Sequence, residues 1–425
     1  MLAMRLLQAL LALILAGAPA CAQPLRIEVR ATLPECILYL MECLEHNPHQ
    51  STLLPAAFTA IHPSTEQEPA LAEYRKLNSE HVNRDVLERM AVDSADGEEF
   101  LTRTRTFLDA SQQNSLRQAL AYFEPAYRDS LWQSSRPRLE EQKSQIESTL
   151  ESSQMVPELE KVRALLDSRW SYQDAFEIAL IPIPARGAKG VTSFAHSIGY
   201  LQVLEMLEGD QVNHRLGVLF HEIVHSLWHS QNPETRRRLR SAFRGLEGRL
   251  AWQELNEALA TALGNGLFQG KLDQKLPGHP WYADSSIDTY AGELAPILQR
   301  RLQEEKPLDE DFAREAQAAF LRSFPQAASD TRLLFRQVTS NEKDLQDWLA
   351  RQTRLSIWSE AKGPVETALA LDFVSKHPQA ERGALCQLRG DYWMITVVGP
   401  DQEAWKAVLT KLLARPEMKE GWLLP

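Results

Sequence analysis

Apolar residues recur at three- and four-residue spacing through most of the chain, and that period predicts helices. Between about residues 30 and 165 the stretches LAEYRKL, RDVLERMA and SLRQALAYF carry it. Residues 134–155 are polar, with Pro137 and many serines, and read as either an exposed helix or a connector. The texture changes at AFEIALIPIP, residues 175–184, a short β-rich run ended by prolines that predicts a strand at or near a sheet edge. After a turn at RGAKG, residues 191–207 read as a second strand running into a helix. Helices are predicted next over residues 211–230 and about 251–263, and helical sequence continues to about Arg354. The tail, residues 383–414, reads as strand, turn, strand, helix.

These patterns predict an α+β fold that is mainly helical. Its expected parts are an N-terminal helical region over residues 23–165, a domain with a small sheet and a helix pair over 166–355, and a small C-terminal α/β unit over 356–425. The chain shows no internal repeat and no low-complexity segment.

With 425 residues, 44% hydrophobic and 24% charged, the chain can bury a large core. Its formal net charge is −11, and RRRLR at Arg236–Arg240 is the one concentrated basic run, read as a solvated helix face. Nucleic acid is therefore not an expected partner.

Residues 1–22 change the picture of location. Arg5 supplies a basic region, LLQALLALILAG an apolar one, and APACAQ the small residues of a cleavage site after Ala22 or Ala20. This is an export signal, too short for a membrane span, and no later stretch is of spanning length. An exported, periplasmic protein is expected, with acylation of Cys21 as the rival reading. Cys36 and Cys43 lie two helical turns, about 10 Å, apart and beyond disulfide reach. Either a bridge to Cys386 or buried free thiols fit, and the lack of a CxxC pair sets aside cysteine-ligated zinc.

The chemistry concentrates in FHEIVHSLWH, Phe220 to His229. On a wheel of about 100° per residue, Leu216, Leu219, Phe220, Ile223 and Leu227 form the core stripe. His221 and His225 point about 140° to 180° away from it, with His214 on the same side. Imidazoles four residues apart stand one above the other and can grip one ion, while Glu222 swings aside to reach a water on that ion. His229 is turned off this axis and reads as a flanking histidine.

A catalytic zinc needs a third protein ligand and an open position. In WQELNEALATALGNG, Glu257 shares a face with Thr261 and Gly264, and Ala258, Ala260, Ala262 and Gly264 permit close approach of another helix. Glu254 shares part of that face and is the rival ligand. Trp228 and Gln231 stand where a metzincin would have its glycine and third histidine, which excludes that branch.

At these residues the chain resembles the gluzincins, the clan of thermolysin-like zinc peptidases. His221, Glu222 and His225 match its HExxH motif, and Asn256 and Glu257 match the start of its second motif, Asn-Glu-x-x-Ser-Asp. Ala260 and Thr261 depart from that motif's serine and aspartate, so either the Thr261 hydroxyl accepts from an imidazole N–H or another acid does. The resemblance covers about a third of the chain. It implies a zincin-like core with an active-site helix pair, and an exported zinc metallopeptidase acting on a peptide or protein substrate. Zn²⁺ would be held by His221, His225 and Glu257, with Glu222 as general base. His279, Tyr282 and Tyr290 are open candidates for the oxyanion stabiliser, and the strand at residues 176–184 or the next one for aligning an extended substrate. The alternatives are a catalytically inactive zincin-fold protein that binds peptides or serves envelope assembly, and a metal-storage module, which the lack of a His-rich tract disfavours.

Overall fold

The computed structural model describes residues 25–45, 52–79, 82–171, 174–186, 194–336, 338–340, 348–349, 369–390 and 392–423. The export-signal reading and Cys21 lie outside them. The protein is mainly helical with two small mixed sheets, an α+β fold, and its contacts divide it into two units.

The first unit takes the described residues of Met1–Ala164, Ser168–Ser230 and Phe268–Lys275. It opens with strand β1 (Ile27–Arg30), followed by helix α1 (Leu33–Leu44), α2 (Leu53–Ile61), α3 (Ser64–Ser79), α4 (Arg84–Val92), α5 (Gly97–Thr104) and α6 (Ala110–Tyr127). A π-helical turn, Arg128–Trp132, joins α6 to α7 (Gln133–Ser152), and α8 (Met155–Leu165) follows. The polar run at 134–155 is thus mostly helix, with Leu139, Gln142 and Ile146 on its buried face. Asp109 and Gln112 form a reciprocal capping box that fixes where α6 starts.

The sheet of this unit has the order β1-β2-β4-β3, with β2 Phe176–Arg186, β3 Ala195–Ile198 and β4 Leu201–Glu208. β1, β2 and β4 are parallel, and β3 runs antiparallel to β4 at one edge. The strand over residues 176–184 lies near the sheet edge, as expected: Phe176 to Ala179 pair with the edge strand β1, and residues from Glu177 onward pair with β4. From Leu180 onward β1 no longer pairs with it, and Pro184 falls inside a register shift, so the prolines sit where a missing N–H is tolerated. One expectation needs correction: the second strand does not run into a helix. Gly199, at φ +59°, turns it back, and 201–207 form the almost wholly buried strand β4.

Charge is buried beneath this sheet's helices. Residues Leu33–Cys43 of α1 are buried on every face, including Glu35 and Glu42. Glu42 pairs with Arg84 and accepts from Tyr74 Oη at 3.3 Å. Glu88, one turn after Arg84, accepts from its Nε at 2.8 Å. Two carboxyls thus pair with one guanidinium, and Glu35 lies within its electrostatic reach. Burial, with Glu42 nearby, pushes the Glu88 carboxyl up to about 8, and burial raises Glu35 well above the carboxylate range.

Helix α9 (Val212–His229) follows β4 in this unit. The second unit follows with α10 (Pro233–Ala242), α11 (Gly245–Ala260), α12 (Ser285–Gln303), α13 (Glu310–Ser323) and α14 (Thr331–Phe335). Its sheet has the order β5-β6-β8-β7-β9: β5 Val338–Ser340, β6 Leu369–Val374, β7 Gly383–Arg389, β8 Tyr392–Val398 and β9 Gly421–Leu423, with α15 (Gln402–Leu413) packed on β8 and β7. The strand, turn, strand, helix expected at 383–414 is present, while β5, β6 and β9 carried too little alternation to be read. Cys36, Cys43 and Cys386 are buried free thiols, so no bridge to Cys386 forms. No described helix is long and apolar enough to cross a membrane.

Candidate metal centre

Helix α9 is held to its sheet by polar anchors as well as by its apolar stripe. Leu216, Leu219, Phe220, Ile223 and Leu227 are all buried, and the Phe220 ring stacks on Phe268 with centroids 4.4 Å apart. Gln202 of β4 donates to Ser226 Oγ at 2.9 Å. Arg215 Nη2 donates to the Glu205 carbonyl at 3.0 Å and to that of Phe194 at 3.3 Å. The Glu205 carboxylate accepts from Tyr39 Oη at 2.7 Å and from the Phe194 N–H at 2.9 Å. Arg215 and Glu205 therefore clamp the start of β3 next to α9.

His221, Glu222 and His225 are buried too, although they point away from the apolar stripe. The helix is covered on both faces. Nε2 of His221 and Nε2 of His225 face each other at 3.0 Å, with rings nearly perpendicular at 80°. Two nitrogens bound tetrahedrally to one zinc would stand about 3.3 Å apart, so the pair has the bite an ion needs. His214 and His229 are exposed.

Glu257, on α11, is buried, and one ligand atom from each of His221, His225 and Glu257 lies within 4.8 Å of the other two. Among the described residues this is the one group of histidine, cysteine and carboxylate side chains that could hold a metal ion. Two imidazoles and a carboxylate fit the His₂Glu donor set of a catalytic zinc.

The rival carboxylate is committed elsewhere. Glu254 forms a buried ion pair with Arg336 Nε at 3.0 Å, and Arg336 Nη1 donates to Asp284 Oδ1 at 2.7 Å. Burial alone would lower the Arg336 guanidinium; Glu254 and Asp284 more than offset it and hold it raised. Asp284, though half-buried, is held below the usual carboxylate range by Arg336 and by the N–H groups it caps. Of the two alternatives for the imidazole's partner, Thr261 is not used: its hydroxyl is buried with no hydrogen-bond partner among the described residues. Thr261 begins a π-helical stretch, Thr261–Phe268, which directly follows the helix carrying Glu257.

The oxyanion candidates separate. Tyr290 is fully buried and its hydroxyl donates to the Ala316 carbonyl at 3.2 Å, a structural role. His279 is exposed, stacked on Trp281 at 4.2 Å, with Nδ1 held 3.0 Å from Asp288. The Tyr282 backbone N–H leans on the same carboxylate at 3.3 Å.

Arg215 and Arg336 escaped the sequence reading. Burial lowers Arg215, against the opposing pull of Asp210, Glu205 and Glu222, so the guanidinium lies within electrostatic reach of Glu222. Its signal was present, an arginine seven residues before Glu222 and so on the same helix face, but an isolated arginine carries no pattern of its own. No protein-family model, no curated protein and no solved structure matches the chain.

Proposed function

We propose that the chain is an exported zinc metallopeptidase with a zincin-like core, of the kind its HExxH and Asn-Glu motifs resemble. The observation that carries this reading is the convergence of His221, His225 and Glu257 on one point, with Glu222 following the first histidine in the chain. A zinc ion there would acidify a bound water and polarise a peptide carbonyl. His221 and His225 would hold it through Nε2 and Glu257 through a carboxylate oxygen. Glu222 takes the proton from the attacking water and returns it to the leaving amine, the work of a carboxylate general base. Arg215 supplies a fixed positive charge near that carboxylate.

The substrate is a peptide or protein, in keeping with the open edge of β3. This strand pairs on one side only among the described residues and packs against α9, so an extended chain can add to it. The net charge of −11 disfavours nucleic acid. Export rests on the basic, apolar and small-residue order of residues 1–22.

Glu222→Gln tests the reading. The variant should keep its zinc while peptide cleavage falls by about 100-fold or more, the usual worth of a positioned base. Unchanged cleavage would overturn the mechanism. A wild-type protein that holds zinc but turns over no peptide in a broad library would point to the peptide-binding alternative.

A further inference from the structure

A groove of about 510 Å³ lies in the second unit, away from the metal-ligating group. Its walls come from the last turns of α10, from Arg244, and from the first half of α13. Four arginines line it, Arg237, Arg238, Arg244 and Arg314, against a single acidic residue, Glu310. In a chain whose net charge is −11, this is a local reversal of sign. Arg244 precedes Glu257 by thirteen positions, and at 1.5 Å per residue the groove lies about 20 Å along α11 from that ligand.

The arginines differ in how they are satisfied. Arg237 pairs with Glu234 and Arg314 with Asp311, two acids outside the groove's lining. Arg238 and Arg244 form no ion pair among the described residues, and both are exposed. Arg244 is also fixed in place. Its N–H donates to Gln317 Oε1 at 3.3 Å and its carbonyl accepts from Gln317 Nε2 at 3.0 Å, so the α13 side chain clips the backbone on both sides.

We propose that this groove binds a phosphate-bearing anion. Guanidinium forks match phosphate oxygens two at a time, and forks from three separate elements suit a tetrahedral group with oxygens in several directions better than a planar carboxylate. The volume falls in the range of small-ligand sites and exceeds what one carboxylate fills. The phosphate belongs either to a soluble compound or to a lipid headgroup. The groove does not depend on the peptidase reading.

Two probes separate these sources: pyrophosphate in solution, followed by calorimetry, and sedimentation with vesicles of phosphatidylglycerol compared with phosphatidylcholine. The wild-type chain should bind pyrophosphate, the anionic vesicles or both, more weakly as salt rises. The double variant Arg238→Gln/Arg244→Gln should lose about tenfold or more in affinity, as expected for removing charge-assisted contacts. Glu310→Gln should bind more tightly, and Lys419→Gln, a change outside the groove, should bind as wild type. The double variant replaces exposed side chains, and a retained wild-type unfolding midpoint would show that it folds. Binding of neither probe, or binding that the double variant leaves unchanged (as for pyrophosphate held at a metal), would overturn the proposal.

Discussion

Nε2 of His221 and Nε2 of His225 stand 3.0 Å apart inside the protein, on consecutive turns of one helix. Two neutral imidazoles satisfy that contact by one donating to the other; a shared cation satisfies it with both as ligands. A carboxylate oxygen of Glu257 lies within 4.8 Å of a nitrogen of each ring and would add the negative charge that a shared cation needs.

The two acids of α11 should separate cleanly. Glu257→Gln is expected to lower zinc affinity by more than about 100-fold, exceeding the loss usual for an outer partner of a ligand, with little effect on unfolding of the metal-free protein. Glu254→Gln should keep the zinc but destabilise the fold by about 3 kcal/mol, because it removes a partner from the buried Arg336 charge. Zinc competition with a chromophoric chelator and urea unfolding read the two effects. The reverse assignment would show zinc loss in the Glu254 variant.

The cluster of Glu35, Glu42 and Glu88 around Arg84 makes the first unit sensitive to alkali. Glu88 has a folded pKa of about 8, above the roughly 4.3 of an unfolded glutamate. Its contribution is therefore fully present below the unfolded value and is lost as pH rises through about 8. Denaturant midpoints measured from pH 5 to pH 9 should fall with rising pH, and Glu88→Gln should flatten the decline. A variant as steep as the wild type would place the titration elsewhere.

Tyr290 should be dispensable for catalysis. Tyr290→Phe removes the hydroxyl that donates to Ala316 and is expected to cost about 1 kcal/mol in stability, with kcat and KM of peptide cleavage unchanged. A selective fall in kcat would return Tyr290 to the list of oxyanion donors.

Much of this was legible because it is local. The core stripe of α9, the four-residue spacing of His221 and His225, and the strand, turn, strand, helix of the tail all follow from periods of 3.6 and 2. What escaped reading depends on distant partners. Pro182 and Pro184 marked β2 as at or near a sheet edge but not what lies outside it, because its pairing with Ile27–Arg30 spans more than a hundred residues. The Asn-Glu motif alone favours Glu257 over Glu254; what the sequence hid is that Arg336, some eighty residues away, pairs with Glu254. Glu35 and Glu42 lie on a helix buried all round, so no amphipathic pattern marked them as interior.

X-ray absorption at the zinc edge of the purified protein reads whether His221, His225 and Glu257 together hold a single zinc ion. The expected result is one zinc per chain, nitrogen and oxygen neighbours at about 2.0–2.1 Å, and the outer-shell scattering of two imidazole rings. A chain that retains no zinc after exposure to it, a sulfur neighbour at about 2.3 Å, or a spectrum without imidazole would rule out this ligand set.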